Sequence, residues 1–303
     1  MKKALVIGSE GNIGMPLVKY LKSKGYQVLE ADIRSGWREN YLMVDINHPT
    51  DLMEAFDWNP DVVFMLSAIV SRVTCEQASA LSISTNLSGL NNVIQMTKRA
   101  GAMFVYFSTS EVYGPDIDIM DEETSVPKPN NRYGLSKLLG EKLVEYEVEQ
   151  HQMRAVTLRP FMMYDENEDW GDHRSAMIRF AVNLALGKSI EIHKGSARAW
   201  LHVSDAVRAI EAAAHVKEYS IINIGHHDVV PIDKLAEMIR EILGASKELL
   251  KVYELPERMT LIKRPNTNRM KTLLGVSPSV ELSDGVRLVC EKVLEKIKNG
   301  TLK

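Results

Sequence analysis

The chain has 303 residues, 45% hydrophobic and 25% charged, an ordinary composition for a globular protein with ample length for a large core. Its formal net charge of −3 gives no bulk attraction to nucleic acid or an anionic membrane, and no apolar stretch is long enough for a membrane span. The two cysteines, Cys75 and Cys290, fit neither a disulfide framework nor a metal-ligand spacing. The apolar run after Lys2-Lys3 is only four residues long before Gly8, too short for a signal peptide, so a cytoplasmic protein is expected.

Taken in chain order, residues 4–7 predict a buried parallel strand, followed by a glycine loop and a helix over 13–24 that Gly25 ends. Further strands are predicted at 27–31, 41–44, 61–66, 103–107 and 155–158, with helices at 51–56, 75–99 and from Tyr133 to about 151. This alternation predicts a parallel, doubly wound sheet. After Pro160 the pattern breaks: 161–174 is polar and aperiodic, as expected of a substrate loop. Helices are expected near 175–186, 205–215, 231–243 and 284–298, with short strands at 189–192 and 199–203. A strand at 221–224 should rejoin the sheet, and 257–268 reads as a basic connection. The division expected is a dinucleotide-binding domain over 1–160, its sheet completed by about 199–226, and a smaller interleaved C-terminal lobe over 161–198 and 227–303 that takes substrate.

Gly8-Ser9-Glu10-Gly11-Asn12-Ile13-Gly14 lies between the first strand and helix, where a dinucleotide pyrophosphate rests on backbone N–H groups. Gly8 permits the tight turn, Gly11 the close approach of the backbone, and Gly14 the packing of helix on strand. Asp32, 18 residues after Gly14 at the end of the second strand, is placed to accept the adenosine ribose hydroxyls, which favours NAD over NADP. Arg34 pulls the other way, since a guanidinium can pair with a 2′-phosphate. Asp45, followed by Ile46, is either a ligand of the adenine amino group or a strand-end acid capping a helix.

Tyr133 and Lys137 are four apart and share one helical face. There the ammonium is expected to lower the phenol's pKa and make it a base for a hydroxyl proton. With the glycine loop about 120 residues upstream, the pair points to nicotinamide-dependent redox chemistry at a carbinol.

With Ser108-Thr109-Ser110-Glu111-Val112-Tyr113-Gly114, Arg159-Pro160, Arg198-Ala199-Trp200-Leu201-His202-Val203-Ser204-Asp205, Arg264-Pro265 and Leu273-Leu274-Gly275 in register, the chain resembles the extended short-chain dehydrogenase/reductase family, and within it the nucleotide-sugar epimerases and dehydratases. The resemblance implies a Rossmann fold, tightly held NAD and a nucleotide-sugar substrate. It makes Tyr133 the catalytic base, Lys137 the ligand of the nicotinamide ribose and Thr109 the partner of the reacting sugar hydroxyl. Asn86 would help to position the site, and Leu66-Ser67-Ala68 would line the cofactor, although the family more often has Ala-Ala or His-Ala there. Arg198 and Arg264 would hold the diphosphate, and Ser110 would face substrate.

In this resemblance Glu111 bears on the reaction. Plain 4-epimerases have small or neutral residues there, whereas Thr109-Ser110-Glu111 is similar to the triad of GDP-mannose 4,6-dehydratase and of UDP-glucuronate decarboxylase. A glutamate here can remove the proton at carbon 5 after oxidation at carbon 4, or it can simply hold the loop. No arginine follows Lys137, as it does in the decarboxylases, so dehydration is expected over decarboxylation, with 4-epimerisation as the alternative. A 4-keto-sugar reductase and a non-catalytic NAD-binding protein are further readings. Relatives pair through two long helices, so a homodimer is expected through 75–99 and 132–151, with Leu81, Leu138 and Leu139 at the interface. His226-His227-Asp228 is not expected to hold a metal, His202 is expected to be a structural or nucleotide-side residue, and Glu141-Lys142 and Glu145-Tyr146-Glu147 are expected on a solvated face.

Overall fold

The computed structural model describes residues 2–171, 174–256 and 259–302. Seven strands form one fully parallel sheet: β1 (Lys3–Ile7), β2 (Gln27–Asp32), β3 (Tyr41–Met43), β4 (Val62–Met65), β5 (Met103–Phe107), β6 (Ala155–Pro160) and, after a long excursion, β10 (Ile221–Ile224). Their spatial order is β10-β6-β5-β4-β1-β2-β3. The order reverses between β1 and β4, so a crevice opens there at the carboxyl ends of the strands. The sheet is doubly wound, as the alternation of elements predicts.

Burial on both faces explains the continuous apolar strands. In β1, Ala4 and Val6 pack with α1 (Gly14–Ser23) and α8 (Val203–Ala213), while Leu5 and Ile7 pack with α2 (Pro49–Asp57) and α5 (Leu90–Ala100). The expected long helix over 75–99 is instead broken into α3 (Arg72–Gln77), α4 (Ser79–Ile83), a π-helical turn at Ser84–Gly89, and α5. Ala78, at φ −120° and ψ 59°, separates the first two. The π turn buries Thr85, Asn86 and Gly89, and a Cβ on Gly89 would lie 2.7 Å from Ile46 Cγ1. No Gly or Pro marks the break at Ala78, so periodicity alone runs through it. The helix after β5 is α6 (Arg132–His151).

The remaining elements are β7 (Met162–Tyr164), α7 (Ala176–Ala185), β8 (Ile190–His193), β9 (Ala197–His202), β11 (Val229–Pro231), α9 (Ile232–Leu243), β12 (Leu250–Tyr253), β13 (Ile262–Lys263), α10 (Asn268–Leu274) and α11 (Leu282–Lys298). β9 does not enter the large sheet; it pairs with β7, β11 and β13 in a smaller one, and β12 pairs with β8. Helices α7, α9 and α11 pack over these strands in their own core. β7 corrects the expectation of an irregular 161–174: three residues are too few for a period, and their pairing with β9 is long-range. Residues 172 and 173 of that stretch, and the start of the expected 257–268 connection, lie outside the described residues.

Candidate functional site

The glycine loop is packed so closely that side chains are excluded. Gly8 sits at φ +93°, and a Cβ there would lie 2.8 Å from Ser67 N. At Gly14 a Cβ would lie 2.2 Å from Gly8 O. Gly11 N–H donates to Gly8 O at 3.2 Å, closing the turn. The first turn of α1 carries no acidic residue and Ile13 offers no side-chain cap, so no carboxylate of that turn opposes a pyrophosphate at this helix N-terminus. This cradle fits a dinucleotide. Leu66 and Ser67, which back the loop with Ala68 beside them, both donate their N–H to Ile7 O, at 2.9 and 3.1 Å.

Asp32 ends β2 as expected, and its two oxygens accept the backbone N–H of Glu10 at 3.0 Å and of Arg34 at 3.1 Å. The Arg34 guanidinium turns back to Glu10 O at 3.0 Å. Asp45 accepts from Asn47 N and Nδ2, both at 2.9 Å, and so holds a local turn; the cap position of α2 belongs to His48. Ile46 is buried beneath Gly89. Asn86, turned inward by the π segment, accepts from Ile69 N at 2.8 Å and donates to Ile69 O at 3.1 Å and Ser136 Oγ at 3.0 Å. It therefore ties the segment after β4 to α6.

Beyond β5 the chain makes the turn that carries Thr109, Ser110 and Glu111. Asn131 caps α6, accepting from Gly134 N at 2.8 Å and donating to Glu111 Oε2 at 3.0 Å. Gly134 lets the helix press on this turn, for a Cβ there would lie 2.7 Å from Glu111 O. The result brings the Tyr133 phenol into hydrogen-bonding reach of Thr109. Lys137 is 3% exposed, and its ammonium lies 4.5 Å from the Tyr106 ring centroid. Burial pushes the Lys137 pKa down to about 7 against the opposing pull of Glu141. The expected lowering of the phenol is not found in the chain by itself. Burial raises the Tyr133 pKa, its hydrogen bond with Thr109 pulls it back, and the Glu111 charge raises it further. Lys137 is directed at the Tyr106 ring, so its charge does not dominate at the phenol.

Glu141 corrects the expectation of a solvated face. It is 2% exposed and takes a bidentate pair from Arg159, Nε at 2.9 Å and one terminal nitrogen at 2.7 Å, as well as the Ser108 hydroxyl. The Arg159 guanidinium stacks 4.7 Å from the Tyr113 ring, whose hydroxyl donates to Asn223 Oδ1 at 2.8 Å. This chain of contacts locks α6 to β5, β6 and β10 beneath the site. The signal available was an arginine inside the apolar run of β6 and an acid one helical turn past Lys137. Glu147 is also buried, with Gln95 and Lys98 as partners.

Around Glu111 the structure gathers cations that sequence reasoning missed. Lys263, on β13, donates to Glu111 Oε1, and its ammonium lies 3.5 Å from Ser110 Oγ. Arg72 stands 3.8 Å from the other carboxylate oxygen. Burial would raise the Glu111 pKa, but Lys263, Arg72 and Asn131 outweigh it and bring it down to about 2. Burial also lowers Lys263, and takes Arg198 to about 10 with Glu111 opposing. Arg198 thus lies at this cluster, while its terminal nitrogens donate to the carbonyls of Ala197, Leu261 and Thr260. Arg264, the next residue after Lys263, points away and pairs with Asp118 at 3.1 Å. Alternation along β13 makes Lys263 the residue that faces the site.

His202 caps α8 and pairs with Glu166 at 3.0 Å, beside a cavity of about 460 Å³ along α1 that includes Asn12 but none of the proton-transfer set. The possible ligand atoms of His226, His227 and Asp228 lie within 4.8 Å of one another. His226 Nδ1 accepts the Asp228 N–H at 2.9 Å, which leaves the proton on Nε2 and no free lone pair on that ring.

A family model described as the NAD dependent epimerase/dehydratase family matches residues 4–225. The chain is similar to UDP-glucuronic acid decarboxylase 6 of Arabidopsis thaliana, 26% identical over 95% of this chain and 88% of the relative. It is also similar to the UDP-N-acetyl-alpha-D-glucosaminuronate decarboxylase of Bacillus cytotoxicus, 27% identical over 94% of this chain and 96% of the relative. Among solved structures, a UDP-glucose 4-epimerase from Thermotoga maritima superposes with a TM-score of 0.90 at 24% identity, covering 97% of this chain and 99% of the other. The dTDP-glucose 4,6-dehydratase of Bacillus anthracis gives 0.85 at 22%, covering 100% of both chains. The chain belongs to the NAD dependent epimerase/dehydratase family, and its cofactor is NAD.

Proposed function

We propose that this chain oxidises carbon 4 of a nucleotide-linked sugar acid and carries the product onward with no net redox change. The observation that supports it is the set of Thr109, Tyr133 and Lys137 at the carboxyl edge of β5, Thr109 and Lys137 buried and Tyr133 partly so, next to a cluster of three cations around one acid. Thr109 and Tyr133 hold the carbon 4 hydroxyl, and Tyr133 takes its proton. Bound NAD supplies the hydride acceptor and a positive charge that favours the phenolate. Lys137, one helical turn past Tyr133, would hold the nicotinamide ribose.

For the step that follows, the Glu111 environment argues against its use as a base. An acceptor works best with a pKa near the operating pH, and Lys263 holds Glu111 at about 2. Lys263, Arg72 and Arg198 carry three positive charges against one, a balance that suits a substrate carboxylate beside Ser110. Oxidation at carbon 4 makes a hexuronate a β-keto acid, which loses carbon dioxide without a base. Two relatives named as decarboxylases of nucleotide uronates favour the same outcome.

The second reading is 4,6-dehydration, favoured by the position of Glu111 two residues from Thr109, with its N–H on Thr109 Oγ1 at 3.2 Å. Incubation with paired nucleotide-linked glucose and glucuronate tests both: loss of carbon dioxide from the uronate supports the first, and loss of water from the neutral sugar the second. We further propose a cytoplasmic homodimer. Leu81 and Leu139 are about half exposed on α4 and α6, and no helix among the described residues is long and apolar enough to cross a membrane. Leu138 leaves this surface, since it packs against the small cluster of Val112 and Tyr113.

A further inference from the structure

The end of the crevice beyond Asp32 carries six charges that the reaction does not use. Glu30, buried in β2, pairs with Lys22 at 2.6 Å and with Arg38. Arg38 reaches on to the carboxylate of Glu10, in the middle of the glycine loop, and stacks 4.3 Å from the Tyr41 ring. Glu10 also gives its N–H to Asp32 and its carbonyl to Arg34. The Tyr41 phenol feels Asp32, Glu10, Arg38 and Arg34 together, which places all four within one small region. Three acids (Glu10, Glu30, Asp32) thus meet three bases (Lys22, Arg34, Arg38).

A ribose 2′-hydroxyl needs only an acceptor such as Asp32, whereas a 2′-phosphate needs a guanidinium with free donors. Two guanidiniums stand beside Asp32, which by composition would suit NADP. Both are already engaged, and Glu10 has a part in each: its carbonyl takes Arg34, and its carboxylate shares Arg38 with Glu30, which accepts from Nε and from the same terminal nitrogen. We propose that Glu10 is a specificity-determining residue, which disfavours NADP by taking a share of the Arg38 donors from Glu30 and by adding a negative charge where a 2′-phosphate would sit. Asp32 is not the whole of the choice, because two guanidiniums stand near it and their balance is set by Glu10 and Glu30. The Arg38 side chain is 42% exposed at the rim; without the Glu10 carboxylate, its terminal nitrogen loses one of two acceptors while Glu30 holds Nε and keeps the guanidinium beside Asp32.

Displacement of bound NADH fluorescence by NAD and by NADP measures the affinity ratio without reference to turnover. Glu10→Gln removes one negative charge and keeps both backbone contacts. It should move the ratio towards NADP by about tenfold, more at low salt than at physiological salt. Adding Arg38→Gln to that variant should cancel the gain, and Arg38→Gln alone should move the ratio further towards NAD. A ratio within twofold of wild type in Glu10→Gln overturns the proposal, as does a gain that survives in the double variant. Should Glu10→Gln fail to fold, an unchanged ratio in Arg38→Gln alone overturns it equally.

Discussion

Replacing Lys263 with methionine removes the ammonium that holds Glu111 ionised and leaves a side chain of similar length. The fall of the Glu111 pKa from 4.5 to about 2 corresponds to about 3 kcal/mol, at about 1.4 kcal/mol for each tenfold change in proton affinity. Lys263 supplies the largest attraction, with Arg72 and Asn131 behind it, and relief of the buried ammonium's own desolvation offsets part of the loss. A net destabilisation of about 2 kcal/mol at neutral pH follows. Because the folded pKa lies below the unfolded one, this stabilisation is complete above 4.5 and is lost as pH falls towards 2. Wild type should therefore lose stability across that window more steeply than Lys263→Met, whose Glu111 titrates nearer its ordinary value. Urea titrations at pH 7, 5 and 3 measure both effects. A variant within about 0.5 kcal/mol of wild type at pH 7, with the same acid dependence, would refute the ion pair as the cause.

Tyr133→Phe should bind NAD and fold as wild type while turnover drops by about two to four orders of magnitude, measured with whichever nucleotide sugar the protein converts; a loss of only a few-fold assigns the proton to another group. Lys137→Met should raise the stability of the cofactor-free protein at pH 7 by about 1 kcal/mol or more. Burial depresses the lysine to about 7, so wild type gains stability as pH rises from there towards 10.5, and calorimetry should find the variant's advantage gone at the upper end. Leu139→Glu should convert a dimer to monomer at micromolar concentration by light scattering, whereas a wild type that is already monomeric removes the proposed α4–α6 interface.

The large sheet was legible because its apolar strands, glycine loop and intervening helices are local patterns. Thr109 came only from the family resemblance, whereas Tyr133 and Lys137 were legible as a pair because four-residue spacing puts them on one helix face. Glu141 was not, since an acid on a helix is indistinguishable from a solvated one until β6 brings Arg159 beneath it. Lys263 was hidden by the same kind of distance: 152 residues separate it from Glu111, and only the pairing of β13 with β9 delivers it. The π turn that aims Asn86 packs Gly89 on Ile46 and Asn86 on Ser136, contacts that helical periodicity does not record. The phenol's expected descent failed because burial raises its pKa, and four-residue spacing discloses neither that burial nor that the Lys137 ammonium turns to the Tyr106 ring.

The most direct test is to mix the NAD-loaded protein with UDP-, GDP- and dTDP-linked glucose and glucuronate and follow product mass. Consumption of a glucuronate with loss of one carbon dioxide and no net change in NAD is the predicted result. Loss of water from a glucose nucleotide, with every glucuronate left intact, would contradict the account and return Glu111 to the role of a base.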